Sequence, residues 1–209
     1  KAVQLGLDTK TPFEKITPAI NTQFFNSNSF KNIHKPLRIL TVGRLQWKKG
    51  YEYAFKAFSL LKNKKIHFEY HIVGEGNYKE SICYALHQLN LTKNVILKGQ
   101  LTPDEVKQEM EWADIYIQPS IQEGFCNSVL EAQAMGLLCI VTNAEGLTEN
   151  IKHNETGWVI PKRSSIAILD AVCNIILLKI DDINLIRKNA ISRVENKFSL
   201  DIQRKKFNK

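Results

Sequence analysis

Leu37-Arg38-Ile39-Leu40-Thr41-Val42 runs into Gly43-Arg44-Leu45-Gln46-Trp47-Lys48-Lys49-Gly50, and the chain then continues from Tyr51 as an amphipathic stretch. A short apolar run rich in β-formers, a loop bounded by glycines and a helical pattern follow one another here. That order is the opening of a βαβ unit, whose crossover helix brings the next strand in parallel to the first.

The same alternation continues downstream. Strands are expected near 37–42, 66–73, 94–98, 114–118, 138–142 and 157–160, and helices near 50–62, 77–89, 103–112, 127–136, 164–178, 182–196 and 199–207. Alternating elements of this kind predict an α/β domain on a doubly wound parallel sheet, Rossmann-like in architecture. One helix start is fully specified: Thr102 as N-cap, Pro103 in the first helical position and Glu105 completing a capping box.

Upstream of Leu37 the chain is broken by Pro12, Pro18 and Pro36 and by the polar run Asn26-Ser27-Asn28-Ser29. Regular structure is therefore expected to begin at Leu37. The implied division is a linker and amino-terminal remnant over 1–36, a ligand-binding domain over 37–196 and a basic terminal helix over 197–209. The start, Lys1-Ala2-Val3-Gln4, has neither an initiator Met nor a signal-peptide core, so a domain from inside a longer chain is expected.

Composition narrows the function. With 209 residues, 44% of them hydrophobic, the chain can bury one full core. The cysteines Cys83, Cys126, Cys139 and Cys173 form no CxxC pair and lie in or beside apolar segments, which suggests a reduced, cytoplasmic setting and no structural zinc. The five histidines form no HxxxH pair, so neither a metal nor another cofactor is expected. Of the net charge of +8, residues 187–209 carry +6 and residues 1–36 carry +3, leaving 37–186 at −1. The excess thus sits at the two ends without any groove-reading motif, and nucleic acid is not an expected partner. A solvated face such as Arg204-Lys205-Lys206, a peripheral contact with an anionic membrane surface or an absent partner domain accounts for it better.

In an open doubly wound sheet, ligands bind beyond the carboxyl ends of the strands, so the loops there carry the candidate chemistry. Gly43 to Gly50 supplies glycines for tight turns, the planar fork of Arg44 and the point charge of Lys49, a pair suited to a diphosphate or, equally, to an exposed loop. Gly74 and Gly76 after the second strand form a GxG that serves close ligand approach or a plain turn. The third stretch is Glu123-Gly124-Phe125-Cys126-Asn127-Ser128-Val129-Leu130-Glu131. It offers a loop carboxylate, a helix start with Asn127 and Ser128 in capping positions and free N–H groups on residues 127–129, and a second carboxylate about one turn in. Together these make a plausible cradle for a sugar diphosphate. His67 and His71 read as structural or surface residues, and Trp47, Trp112 and Trp158 as packing.

Glu123 through Glu131 resembles the EX7E motif of the family 4 ("group 1") retaining glycosyltransferases, and Ala132-Gln133-Ala134-Met135-Gly136 resembles its EAMAxG continuation. TVGRLQWKKG is similar to the family's VGRLxxxKG, IVGEG to its second strand end, and Asn143–Pro161, with Glu149 and Gly157, to its GxxExIxxxxxGxLVxP segment. Ala19 to Phe25 looks more loosely like the family's NGVDxxxF linker, with Asn21 where an Asn-Gly pair is usual. The resemblance implies the carboxy-terminal half of a two-domain GT-B fold.

It also implies roles. Arg44 and Lys49 would hold the donor diphosphate and stabilise the leaving nucleoside diphosphate without a metal. Glu123 would bind donor-sugar hydroxyls, with Gly43, Gly124, Phe125, Cys126, Asn127, Ser128 and Val129 lining the pocket. Glu131 would accept from the ribose, and Gly99 to Leu101 would border the base. Cys126 stands where the family often has Gly or Pro and is expected to crowd the pocket slightly. The implied partners are a UDP- or GDP-sugar and, through the absent amino-terminal domain, a glycan or lipid-linked acceptor in surface polysaccharide assembly. The basic end would cross to that domain, and the isolated half would bind donor without appreciable turnover. Another GT-B enzyme such as a sugar-nucleotide epimerase, or a non-catalytic module for anions or membranes, are the alternatives.

Overall fold

A computed structural model describes residues 16–27 and 30–207. Residues 1–15 of the expected linker, Asn28 and Ser29 of its polar run, and residues 208–209 of the basic end lie outside them. Among the described residues six strands form one parallel sheet: β1 (Leu37–Val42), β2 (Phe68–Val73), β3 (Val95–Gly99), β4 (Ile115–Gln118), β5 (Leu138–Thr142) and β6 (Trp158–Ile160). Their spatial order, β3-β2-β1-β4-β5-β6, reverses direction between β1 and β4.

The strands are apolar on both sides, as a parallel sheet covered by helices requires. Ile39, Tyr70, Ile117 and Ile140 face a core shared with α1 (Tyr51–Asn63), α2 (Lys79–Gln88) and α6 (Ser165–Leu177). The residues between them, Leu40, Tyr116, Cys139 and Val141, face the other core under α3 (Pro103–Trp112), α4 (Asn127–Ala134) and α7 (Ile180–Phe198). Phe58 wedges against Tyr70 edge to face at 4.8 Å between ring centroids. Each fully buried side chain of this size contributes about 1.5–3 kcal/mol.

The Thr102 capping box forms as expected, with the Glu105 N–H donating to Thr102 Oγ1 and the Thr102 N–H donating to the Glu105 carboxylate at 2.8 Å. Most other element bounds differ from the sequence expectation by one or two residues. Two elements were not anticipated: a 3-10 turn at Trp47–Lys49 and the short helix α5 (Leu147–Asn150).

Regular packing also starts before Leu37. Ile20 and Phe25 are buried, and Ile20 forms a bridge with Ser199, where α7 gives way to α8 (Leu200–Phe207). The Gln203 amide donates to Thr17 O at 2.9 Å, so the segment entering the domain and the segment leaving it lie side by side. The apolar residues of this stretch, Ala19-Ile20 and Phe24-Phe25, are separated by Asn21-Thr22-Gln23 and follow neither a strand nor a helix period, so the sequence assigns no element to them.

His71 is buried between Glu69 and Glu109 and stacks on Trp112 at 3.7 Å, in line with its structural reading. Trp158 packs against the core, whereas Trp47 departs from the expectation and is 57% exposed.

Candidate functional site

The order reversal between β1 and β4 leaves a crevice where the loops after these two strands diverge, the position at which open α/β sheets bind ligands. Both of the charged stretches singled out in the sequence meet there. The loops are joined through their backbones, with Ile121 N–H donating to Lys48 O at 2.8 Å, and the loop after β1 is braced from α1 by Tyr51 Oη, 3.2 and 3.3 Å from the carbonyls of Gly43 and Arg44.

Lys49, at the end of the 3-10 turn, reaches across this junction. Its Nζ lies 2.6 Å from Glu123 Oε2, and both side chains are largely buried. The same oxygen accepts from the Ser120 hydroxyl at 3.1 Å. Arg44, by contrast, is exposed and has no ion pair among the described residues. The site therefore presents one cation already engaged by a carboxylate and one cation open to solvent.

Gly76 owes its identity to this junction. A Cβ there would stand 2.3 Å from Leu45 O, because the loop after β2 lies directly under the loop after β1, with Leu45 N–H donating to Glu75 O at 2.9 Å. The GxG at 74–76 thus braces the Arg44-bearing loop, which accounts for both glycines through packing. Gly99 ends β3 and Leu101 lies on the loop that follows it, and Gly74 N–H donates to Gly99 O at 2.7 Å.

The cap of α4 differs from the sequence reading by one residue. The N-cap is Cys126, in extended conformation, and Asn127 is the first helical residue. Cys126 is held from both sides by one amide: its N–H donates to Asn150 Oδ1 at 3.2 Å and its carbonyl accepts from Asn150 Nδ2 at 3.0 Å. Ser128 does not cap. Its hydroxyl turns inward, 2.8 Å from the Tyr116 hydroxyl and 3.2 Å from Val42 O. Val129 is fully buried, so of the expected cradle only its backbone can face a ligand. The Cys126 side chain is buried, 3.3 Å from Ser128 Oγ, and burial pushes its thiol up.

Glu131 lies on the second turn of α4, and burial alone raises its carboxyl to about 7. Beside Glu123 a cavity of about 280 Å³ opens, lined by Gly124, Phe125, Glu145, Gly146 and Glu149 and by residues 16–18. Asn150, Gln118 and Ser120, which tie the site together, were missed in the sequence. Their partners lie on other elements, and no local spacing marks them. Among the described residues no group of three His, Cys, Asp or Glu side chains is arranged to hold a metal, and no helix is long and apolar enough to cross a membrane.

The family described as Glycosyl transferases group 1 matches residues 23–193. The chain is 34% identical over 166 residues to the amylovoran biosynthesis glycosyltransferase AmsK of Erwinia amylovora, covering 75% of this chain and 41% of AmsK. It is 30% identical over 190 residues to the capsular polysaccharide biosynthesis glycosyltransferase CapM of Staphylococcus aureus, covering 86% of this chain and 48% of CapM. The chain thus spans less than half the length of these two curated relatives. Among solved structures, Anabaena Alr3699/HepE in complex with UDP superposes with a TM-score of 0.84 at 17% identity, over 99% of this chain and 58% of that one, which shows a common fold.

Proposed function

The chain belongs to the group 1 glycosyl transferases, and from that membership we propose that it is the donor-binding half of an enzyme transferring a sugar from a UDP- or GDP-sugar to a glycan or lipid-linked acceptor. Retention of anomeric configuration and a place in surface polysaccharide assembly are part of the proposal. The observation that carries it is the Lys49–Glu123 contact between the loops after β1 and β4 at the order reversal, with Arg44 on the first of these loops and Glu131 on the helix that follows the second. The names of AmsK and CapM support the pathway, and the UDP held by the structurally similar HepE supports the ligand class.

In this reading the guanidinium of Arg44 and the ammonium of Lys49 receive the donor diphosphate. As the bond from the anomeric carbon to the diphosphate oxygen breaks, negative charge grows on the leaving nucleoside diphosphate, and these preorganised cations stabilise it. Glu123 accepts from hydroxyls of the sugar, whose anomeric carbon passes through an oxocarbenium-like state. The acceptor hydroxyl attacks from the face the diphosphate leaves and passes its proton to the departing diphosphate oxygen, without a covalent adduct on Glu123. Glu131 accepts from the ribose hydroxyls.

Calorimetric titration with UDP-, GDP- and ADP-sugars tests the reading. Saturable binding of at least one, abolished by Lys49→Ala together with Arg44→Ala, is expected. Absence of binding to every nucleotide sugar in the panel would defeat it.

A further inference from the structure

Glu123 is held from the protein interior as well as by Lys49. Gln118 and Ser120 are fully buried at the end of β4, in a parallel sheet whose neighbouring positions are almost all apolar. Gln118 Nε2 donates to Ser120 Oγ at 2.8 Å, and Gln118 Oε1 accepts from the Tyr116 hydroxyl at 3.0 Å. Thr142 Oγ1 donates to Ser120 O at 2.5 Å and fixes the backbone at that point. Polar groups this deep destabilise unless every donor and acceptor is matched.

The matching has a direction. A carboxylate only accepts, so the single proton of Ser120 is turned to Glu123 Oε2. Ser120 oxygen must then accept from elsewhere, which selects the amide orientation that aims Gln118 Nε2 at it and Oε1 at Tyr116. With Lys49 and Ser120 both donating to Oε2, the other oxygen, Oε1, has no partner among the described residues.

We propose that Gln118 and Ser120 are positioning residues of the donor site, a one-way hydrogen-bond string that saturates Oε2 of Glu123 and leaves Oε1 as the acceptor offered to the donor sugar. The inference rests on the reading of Glu123 as the sugar-binding carboxylate. The string acts on the sugar directly; neither residue touches Arg44, Lys49 or Glu131, so any effect on the nucleotide passes only through the Lys49–Glu123 pair.

Gln118→Glu reverses the string while keeping its shape. When ionised, the introduced carboxylate takes the Ser120 proton and withdraws it from Glu123; when protonated, it can donate to Ser120 as the amide does. The titratable groups around it are Tyr116 and Cys126, both pushed up by burial, and the Lys49–Glu123 pair. Buried carboxyls have raised pKa values, so the variant resembles the wild type at low pH and departs from it as pH rises.

The test is the ratio of affinities for UDP-glucose and UDP, and for GDP-mannose and GDP, by calorimetry of the chain between about pH 5 and 8.5; the ratio cancels effects of Glu131 on the nucleotide. Ser120→Ala and Gln118→Leu are expected to lower the ratio about tenfold, the scale of one hydrogen bond to a charged group. Gln118→Glu is expected to keep the wild-type ratio at low pH and lose it at high pH, a reversible change within one preparation that serves even if Ser120→Ala or Gln118→Leu fails to fold. Wild-type ratios in Ser120→Ala and Gln118→Leu, or a flat pH profile in Gln118→Glu, would overturn the string while leaving the role of Glu123 intact. A Glu123→Ala variant that keeps the wild-type ratio would instead remove that role, and the inference with it.

Discussion

Lys49 Nζ and Glu123 Oε2 stand 2.6 Å apart although 74 residues separate them in the chain, and the contact joins the loop after β1 to the loop after β4. Arg44, five residues before Lys49, is exposed and outside that pair. The two cations should therefore separate in mutagenesis. Lys49→Ala and Arg44→Ala are each expected to weaken nucleoside diphosphate binding by about 1.5–3 kcal/mol. Only Lys49→Ala should also lower folding stability, by about 2–3 kcal/mol, because it strips a largely buried carboxylate of its ion pair. Calorimetry and denaturant unfolding on the same samples give both quantities, and Arg44→Ala should unfold at the wild-type midpoint.

Glu131 carries a stability penalty that depends on pH. Its carboxyl titrates at about 7 in the folded chain, above the 4.5 of an unperturbed Glu. Burial opposes ionisation, so the penalty is absent below the unfolded value, grows as pH rises between the two, and is complete above about 7. Glu131→Gln should match the wild type in stability near pH 4.5 and exceed it by about 2–3 kcal/mol at pH 8. The same variant should bind nucleoside diphosphate less tightly, with little change toward pyrophosphate. Melting curves across pH, with paired titrations, would reveal equal pH dependence in both proteins if the burial argument were wrong.

The parts of this site that were legible in the sequence are those whose chemistry is local. Strand, glycine loop and helix follow one another between Leu37 and Asn63, and the charges of Arg44, Lys49, Glu123 and Glu131 sit in or beside strand-end loops, so sheet type and crevice were both readable. What was not readable depends on partners brought in by the fold. Asn127 and Ser128 are better N-cap residues than Cys126 by local preference, yet Asn150, 24 residues away, pins Cys126 in the extended conformation, so the cap falls on Cys126 although the helix begins at Asn127 as expected. Gln118 reads as the polar end of a strand and is instead fully enclosed, because the hydroxyls of Tyr116 and Ser120 satisfy its amide. Trp47 looks like core by composition but sits on a 3-10 turn whose one buried residue is Lys49, while the apolar contact of the loop is made by Leu45 just before the turn.

Two glycines at the crevice should respond in opposite ways to the same substitution. A Cβ on Gly146 would lie 2.0 Å from Gly124 O, backbone against backbone, while a Cβ on Gly124 meets nothing within 4 Å. Gly146→Ala has to separate the loop after β5 from the loop carrying Glu123 and should lose about 3 kcal/mol, the upper range for overpacking. Gly124→Ala should be near neutral in urea unfolding. Similar midpoints for the two variants would mean that these loops are not in contact.

Asn150 combines structure and site in one side chain. Both polar ends of its amide are used on the backbone of Cys126, and its own carbonyl accepts from Gln133 Nε2 at 3.1 Å, so α5 is locked to both the start and the end of α4. Asn150→Ala leaves a buried N–H and a buried carbonyl without partners and should destabilise the chain by about 2–4 kcal/mol, one to two kcal/mol for each orphaned group. Asn150→Asp separates the two bonds: its carboxylate still accepts from Cys126 N–H but now opposes Cys126 O, so the loss should deepen as pH rises through the titration of the introduced carboxyl. Because Cys126 is the hinge between Glu123 and Glu131, either variant should weaken binding of a nucleotide sugar more than binding of pyrophosphate. Equal weakening of both ligands would mean that Asn150 supports the domain as a whole and has no separate hold on the distance between the two carboxylates.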